Sequence, residues 1–242
     1  MDERAKRGDF KARLERVLDR IERAARRVGR DPADVKLVAA SKALPVERLY
    51  EAVACGCHAF GENRVQEALA KMDALGACPG LEWHLIGPLQ ANKVRAVVGR
   101  FSLVHAVDRV EVAERLDRAA RAHGCIQPVL IEINIAGERT KHGFTPEDTL
   151  STLERLGSLA GLRILGLMAI PPAAASPEAA RPHFRKVREL AARVDARKIH
   201  GVSMMELSIG MSGDFEIAIE EGATLVRIGT ALFGPRLVAE KA

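Results

Sequence analysis

A regular alternation of strand-like and helical patterns constrains the fold of this chain more than any other feature. The strand-like segments occupy residues 35–41, 58–63, 81–87, 103–107, 128–134, 162–170, 201–207 and 224–230. Amphipathic helical patterns follow the first seven of them, at residues 45–54, 64–75, 90–98, 109–122, 146–159, 177–194 and 212–221. Alternation of this kind predicts parallel strands that are joined by right-handed helical crossovers.

The number of these units predicts a closed barrel. Eight strands with their helices, in about 200 residues, match the size of a (β/α)₈ TIM barrel. Apolar residues make up 48% of the chain, which is enough for such a core. We therefore expect one α/β domain over residues 1–242, with residues 1–30 as an added N-terminal capping helix. The alternative, an open doubly wound sheet, requires a glycine-rich phosphate turn after its first strand, and the sequence has none there.

The basic excess of the chain is concentrated at its amino terminus. The formal net charge is +5, and Arg and Lys alternate with Asp and Glu within residues 1–30. This pattern predicts a solvated helix with ion pairs along its face, and nucleic-acid binding stays a hypothesis that no aromatic or basic motif supports. Cys55 and Cys57 lack the spacing of a zinc site. Since there is no signal segment or long apolar run, we expect a cytoplasmic protein.

Lys42 is the residue around which we expect the chemistry to be organised. It follows the apolar run 35–41 and so lies at the carboxyl end of the first predicted strand. A lysine against apolar walls can lose its proton and attack a carbonyl, whereas a lysine at a strand end is often simply solvated. Barrel active sites lie at the carboxyl ends of the strands.

Further residues fall within the predicted strands or at their carboxyl ends. They are Asn63, His84, Asn134, Met168, Met204, Glu206, Arg227, Gly229 and Thr230. Each of them alone has an ordinary interpretation as a turn residue or a core residue. Together they predict a single site at the mouth of the barrel, because one mouth collects the carboxyl ends of all the strands.

The last third of the chain carries a candidate phosphate site. Ser212 precedes a helical pattern and is expected to be its N-cap, which leaves helix amides for an anion. Gly229 allows a close backbone approach, and Thr230 adds an amide and a hydroxyl. A reactive lysine beside a phosphate site suits two ligand classes, a phosphorylated sugar handled by a Schiff-base aldolase, or pyridoxal 5′-phosphate (PLP).

Four segments resemble the pyridoxal phosphate homeostasis protein family: AASK, FGENRVQE, EWHLIGPLQANK and LSIGMSGDFEIAIEEGATLVRIGTALFG. The resemblance extends from Val35 to Gly234 and implies a barrel like the amino-terminal domain of alanine racemase. It also implies that Lys42 holds PLP as a Schiff base and that Arg227 faces the pyridine nitrogen.

The same resemblance implies roles for further residues. The implied phosphate contacts are Ser212, Gly229 and Thr230. The implied pocket residues are Asn63, His84 and Met168, with Ser208 and Gly210 in an adjoining loop. The family usually has Lys-Ser-Gly-Phe where this chain has KHGF, so His142 departs from the pattern and Lys141 is assigned no role.

The resemblance implies a carrier rather than an enzyme, and the residues permit that role. Arginine remains a charged donor, so a pyridine nitrogen facing Arg227 stays unprotonated and the ring is a weaker electron sink. Alanine racemase takes a second proton-transfer group, a tyrosine, from a partner subunit through a further domain, and this chain stops soon after Gly234. Its single tyrosine, Tyr50, is expected in the helix after Lys42, away from the mouth.

We therefore expect a monomeric PLP carrier or regulator of vitamin B6 homeostasis, which supplies PLP-dependent enzymes through transient contact. The alternative is a weak PLP-dependent amino-acid racemase or lyase. That activity needs a second titrating group at the mouth, for which His84 and Glu206 are the candidates.

Overall fold

Eight parallel strands form a closed barrel in which each strand pairs with its sequence neighbours and β8 pairs with β1. The computed structural model describes residues 3–138, 141–172 and 175–235, and all eight strands lie within them. They are β1 Lys36–Ala40, β2 Ala59–Glu62, β3 Glu82–Leu85, β4 Leu103–Val107, β5 Gln127–Ile133, β6 Leu162–Ala169, β7 Val202–Met211 and β8 Leu225–Ile228. The predicted barrel is confirmed.

Helices lie outside the barrel between the strands. The described ones are α1 Glu3–Arg27, α2 Val46–Ala54, α3 Val65–Leu75, α4 Val94–Val97, α5 Val110–His123, α6 Thr149–Leu156, α7 Arg181–Asp195, α8 Phe215–Glu220 and α9 Thr230–Phe233. Short 3₁₀ turns occupy Pro32–Asp34, Ala91–Lys93 and Glu178–Ala180. No described helix has the length and apolar character that crossing a membrane requires.

The strands are rich in apolar residues because both of their faces are largely covered. β4 is buried at every position, and the outward residues of the barrel join the apolar faces of the helices in one large core. A second, smaller cluster fills the barrel interior. Its members are Val38, Ile86, Leu103, Ala106, Leu130, Met168 and Leu225. The inner cluster forms a packed floor beneath the carboxyl ends of the strands.

The structure corrects the expectation that Ser212 caps the helix after β7. That helix, α8, begins at Phe215, and Asp214 is the residue before it. A turn precedes the helix, since the Asp214 amide donates to the Met211 carbonyl at 3.1 Å and the Met211 amide donates to Asp214 Oδ1 at 2.7 Å. This turn keeps Ser212 outside the helix and leaves its hydroxyl available to another element.

Other boundaries also differ from those predicted. β7 is longer than the predicted strand and runs to Met211, with register shifts against both neighbours. Gly210 makes this extension possible, because its φ is +89° and an added Cβ would lie 2.5 Å from Ala218 Cβ. The helix predicted over 90–98 is a 3₁₀ turn followed by the single turn α4.

α1 packs on α8 and α9. Phe10 packs on Phe233 with ring centroids 5.2 Å apart, and Arg20 pairs with Glu216 at 2.7 Å. Other charges pair along the helix itself, as Arg26 does with Glu22 at 2.8 Å, and Arg27 pairs with Glu220 of α8 at 2.9 Å. Packing and ion pairs therefore account for the charged amino-terminal segment.

Candidate functional site

A cavity of about 260 Å³ opens at the carboxyl ends of β1, β2 and β8. The residues that line it are Ala40, Lys42, Leu44, Asn63, Ile86, Ile170, Met211, Ser212, Gly213, Arg227, Gly229, Thr230, Phe233 and Gly234. Six of the nine residues expected to contact a cofactor therefore line this one cavity: Lys42, Asn63, Ser212, Arg227, Gly229 and Thr230. The barrel brings them together from both ends of the sequence.

Lys42 lies two residues beyond the end of β1, in a turn whose next residue, Ala43, has a positive φ of +59°. A buried polar cluster supports the start of this turn. Ser41 Oγ donates to Glu62 Oε1 at 2.7 Å, and the Lys71 ammonium donates to the same oxygen at 2.6 Å and to the Ser41 carbonyl at 2.8 Å. These bonds join the end of β1 to β2 and α3, so the backbone that carries Lys42 is held on both sides.

The predicted phosphate residues form a group of backbone donors. The amides of Gly229 and Ala231 both point at Ser212 Oγ, which accepts from them at 3.2 and 3.3 Å. Gly229 lies close to β1, since an added Cβ would lie 3.2 Å from the Ala40 carbonyl oxygen. An oxygen acceptor thus already sits where these two amides converge, and a phosphate oxygen has the same acceptor character.

Arg227 lies at the floor of the cavity. Its guanidinium donates to the Ser208 carbonyl at 2.6 Å, to the Ser208 hydroxyl and to the Ala169 carbonyl at 3.1 Å. Burial lowers the pKa of Arg227 to about 10, and the charges of Glu132 and Asp214 oppose that shift. Arg227 is therefore a charged donor at neutral pH, held in place by two strands.

The three other expected contact residues lie beneath the cavity wall. Met168 is fully buried in the inner cluster. His84 and Ser208 are also buried, and a second histidine lies between them: His105 contacts His84 at 2.8 Å and Ser208 at 2.8 Å. These residues support the floor around Arg227 rather than the wall of the cavity.

Several other candidates lie away from the cavity wall. Glu206 accepts a hydrogen bond from the Thr224 hydroxyl, and Asn134 accepts from the Glu138 amide at 3.2 Å. Lys141 pairs with Glu138 at 2.7 Å in the loop after β5. Neither Glu206 nor Asn134 lines the cavity.

Tyr50 lies in α2, as predicted, with 47% of its surface exposed. Its hydroxyl donates to the Ala74 carbonyl at 2.6 Å. The tyrosine therefore links α2 to α3 on the outside of the barrel, away from the cavity.

Sequence reasoning missed His105 and the pair Glu62–Lys71. A signal for His105 was available, because a polar residue in the otherwise apolar segment LVHAV has to point into the barrel or its outer core. No comparable signal existed for Lys71. Its position on α3 resembles that of any solvated helical lysine, and only the packing of α3 on β2 buries it to 7% exposure.

The arrangement suits a small anionic carbonyl compound. Lys42, Ser212 with its two converging amides and the buried Arg227 line one cavity, and Ile86, Ile170 and Phe233 add apolar walls. These features match an aldehyde, a phosphate, a ring nitrogen and an aromatic ring respectively. No cluster of metal-ligating side chains occurs among the residues that the structure describes.

Comparison with known proteins gives consistent matches along the chain. The family model of the alanine racemase N-terminal domain matches residues 13–236. A pyridoxal phosphate homeostasis protein of Aquifex aeolicus is 48% identical over 224 residues, which are 93% of this chain and 97% of the relative.

Two solved structures are similar over nearly their whole length. PipY of Synechococcus elongatus, solved with PLP bound, has a TM-score of 0.81 and 37% identity, covering 93% of this chain and 100% of PipY. An unknown protein from Bifidobacterium adolescentis has a TM-score of 0.89 and 34% identity, covering 96% of this chain and 97% of that one.

Proposed function

Because this chain belongs to the pyridoxal phosphate homeostasis proteins, which carry the alanine racemase N-terminal domain, we propose that it binds PLP in the cavity at the barrel mouth. Its role is to hold the reactive aldehyde as a Schiff base and to supply or buffer PLP for dependent enzymes. The observation that carries this proposal is the convergence of Lys42, Arg227 and the two amides at Ser212 on one small cavity.

Each residue has a distinct part in holding the cofactor. When bound, PLP supplies an aldehyde that condenses with a primary amine. Lys42 would provide that amine, while the amides of Gly229 and Ala231, with Ser212 and Thr230, would receive the phosphate. Arg227 would donate to the ring nitrogen and, being charged itself, would keep that nitrogen unprotonated. Asn63 and Ile86 complete the wall, and Met168 supports it from below.

The first test is the visible absorbance of the purified protein mixed with PLP. We expect a yellow band that is absent from Lys42→Ala, and borohydride is expected to attach the cofactor mass to the peptide containing Lys42. Lys186→Ala, which removes an exposed lysine of α7, is the matched control and should keep the band. Absence of the band from the native protein, or its full retention in Lys42→Ala, would refute the proposal.

We also propose that the protein is a carrier and not an enzyme. Three observations support this view: Tyr50 lies outside the barrel, Glu206 bonds to Thr224, and His84 lies below the floor. PLP-loaded protein should restore activity to an apo PLP-dependent enzyme. The loaded protein itself should show no detectable turnover of amino acids. Racemisation or cleavage of amino acids by the native protein, lost in Lys42→Ala, would favour the weak racemase or lyase.

The partners and location follow from the same role. We propose that residues 1–242 form one cytoplasmic, monomeric unit that contacts PLP-dependent enzymes only transiently. Residues 1–2, 139–140, 173–174 and 236–242 of this unit lie outside the described residues. Sedimentation at several protein concentrations, with and without PLP, should give the mass of a single chain. A dimer mass would contradict the monomer.

A further inference from the structure

A chain of polar side chains crosses the barrel interior from its amino-terminal end to the floor of the cavity. It begins at the Lys36–Glu82 ion pair, where the nitrogen–oxygen distance is 2.8 Å. Glu82 contacts His84 Nε2 at 3.3 Å, and His84 Nδ1 contacts His105 Nε2 at 2.8 Å. His105 Nδ1 then contacts Ser208 Oγ at 2.8 Å, and that hydroxyl accepts from Arg227.

The Arg227 end of the chain allows one direction of its hydrogen bonds. A guanidinium has donors and no acceptor, so Ser208 Oγ accepts from Arg227. The hydroxyl proton of Ser208 is then free to be donated to Nδ1 of His105. With Nδ1 acting as acceptor, a neutral His105 carries its proton on Nε2 and donates it to His84.

The opposite end of the chain imposes that direction. The Glu82 carboxylate has acceptors only, so Nε2 of His84 must carry a proton to bond with it. The His84 bond holds the pKa of Glu82 down to about 2, with further help from Lys36, so Glu82 is ionised at neutral pH. When His84 carries a single proton, on Nε2, it accepts at Nδ1, which is the atom that faces His105.

The charge state of His105 is consistent with this direction. Full burial lowers its pKa well below the ordinary value, and the charge of Arg227 adds to the shift. An uncharged His105 offers one donor and one acceptor, which are the two functions that the chain requires of it.

We infer that Ser208, His105 and His84 are positioning residues that hold the Arg227 guanidinium in place through one directional chain of hydrogen bonds ending at Glu82. This inference rests on the proposed binding of PLP above Arg227. Its consequence is that Glu82, which is partly exposed at the opposite end of the barrel, contributes to cofactor binding at the mouth without touching the cofactor. Hydrogen bonds in such a chain polarise one another, so that removing one link weakens the others.

The first experiment determines which ring nitrogen of His84 and of His105 carries the proton, and it needs no cofactor. Protein labelled with ¹⁵N-histidine is studied by long-range proton–nitrogen correlation, and His84→Gln and His105→Gln assign the signals. We expect the proton on Nε2 and a bare Nδ1 in both rings at neutral pH. A proton on Nδ1 of His105, or a doubly protonated His84, would overturn the inferred direction.

The second experiment measures the dissociation constant of PLP by absorbance. Ser208→Ala removes the link next to Arg227 and should weaken binding about tenfold, the scale of one hydrogen bond to a charged group. Glu82→Gln replaces the distant carboxylate with a neutral amide of the same shape. It should also weaken PLP binding, and both tautomers of His84 and His105 should become populated. The matched control is Glu111→Gln, which breaks an exposed ion pair with Arg115 on α5 and should leave affinity and tautomers unchanged.

The outcomes separate this inference from the proposed function. Native protein that fails to bind PLP refutes the proposed function, while the tautomers still test the chain by themselves. Native protein that binds PLP, together with native-like affinity in both Ser208→Ala and Glu82→Gln, refutes the positioning role alone. Unfolding curves for each variant, measured in parallel, show whether it is folded, and Glu82→Gln serves as the decisive variant if Ser208→Ala does not fold.

Discussion

The Ser212 hydroxyl occupies the position that is proposed to bind a phosphate oxygen. Its hydroxyl accepts from the amides of Gly229 and Ala231, at the point where a phosphate oxygen is proposed to bind. The serine was expected to cap α8, yet it belongs to a turn and reaches β8 instead. A protein that stores and releases a cofactor benefits from such an internal acceptor, because the two donors are satisfied in both states.

Ser212→Ala should lower the free energy of unfolding of the unliganded protein by about 1 kcal/mol, since two amides lose their acceptor. The loss should be smaller in saturating PLP, whose phosphate replaces the missing oxygen. Urea denaturation with and without PLP measures both values. Ser158→Ala, which removes an exposed hydroxyl bonded to the Arg155 carbonyl, is the control. An equal loss of unfolding free energy with and without PLP would contradict the view that Ser212 Oγ and a phosphate oxygen occupy the same position.

At the scale of elements, α3 is tied to the barrel by a buried charge pair. Lys71 of α3 is 7% exposed and Glu62 of β2 is 0% exposed. Burial raises the pKa of Glu62, while Lys71 and Ser41 lower it, so the first effect prevails. The second carboxylate oxygen of Glu62 has no hydrogen-bond partner among the described atoms. Lys71 is therefore the main compensation for this buried charge.

Lys71→Met should lower the free energy of unfolding by about 3 kcal/mol at neutral pH, because it leaves a buried carboxylate without a counter-ion. The added Glu62→Gln change should recover much of this loss. Lys11→Met, in the exposed pair with Glu15, should cost less than about 0.5 kcal/mol.

The penalty of Lys71→Met should depend on pH in a defined direction. A raised folded-state pKa means that the folded protein favours protonated Glu62, so the destabilisation is complete above that pKa and fades as pH falls through it. Urea midpoints at about pH 8 and about pH 5 test this expectation. A penalty that stays constant or grows toward acid pH would show that Glu62 is not its source.

At the scale of the whole molecule, the amino-terminal helix packs against a residue that lines the cavity. Phe10 of α1 packs on Phe233, and Phe233 lines the cavity. Arg30 adds two bonds from the same segment, to the carbonyls of Ile219 at 2.8 Å and Ala223 at 2.9 Å. Residues 3–30 thus cover the side of the barrel on which α8 and α9 support the proposed phosphate site.

Phe10→Ala should lower the free energy of unfolding by about 4 kcal/mol and weaken PLP binding several-fold, because Phe233 loses its support. Phe184→Ala is a matched control, since Phe184 is equally buried but belongs to α7 and does not line the cavity. It should cost similar stability without changing affinity. Thermal unfolding and a PLP titration, both on folded protein, provide the two measurements. Equal loss of affinity in both variants would mean that α1 has no specific connection to the site.

Much of the site could be predicted because parallel strands point the same way. Once the chain is divided into eight strand-and-helix units, the residues after each strand must meet at one mouth. Lys42, Asn63, Arg227 and Gly229 follow from that rule, although positions 42 and 229 are far apart in the sequence. The strand ends themselves were less predictable, as Met211 in β7 shows, since register shifts depend on the neighbouring strands.

The sequence alone determined the strand order, the barrel and the placement of Lys42, because these follow from local periodicity and chain direction. Only the tertiary structure decided which buried polar groups meet. The His84–His105 bond joins residues 21 positions apart, and the His105–Ser208 bond joins residues 103 apart. Such pairs depend on the stagger of the closed barrel, which sets which side chains share an interior layer. A histidine in a buried strand requires a hydrogen-bond partner, and closure of the barrel determines which side chain that partner is.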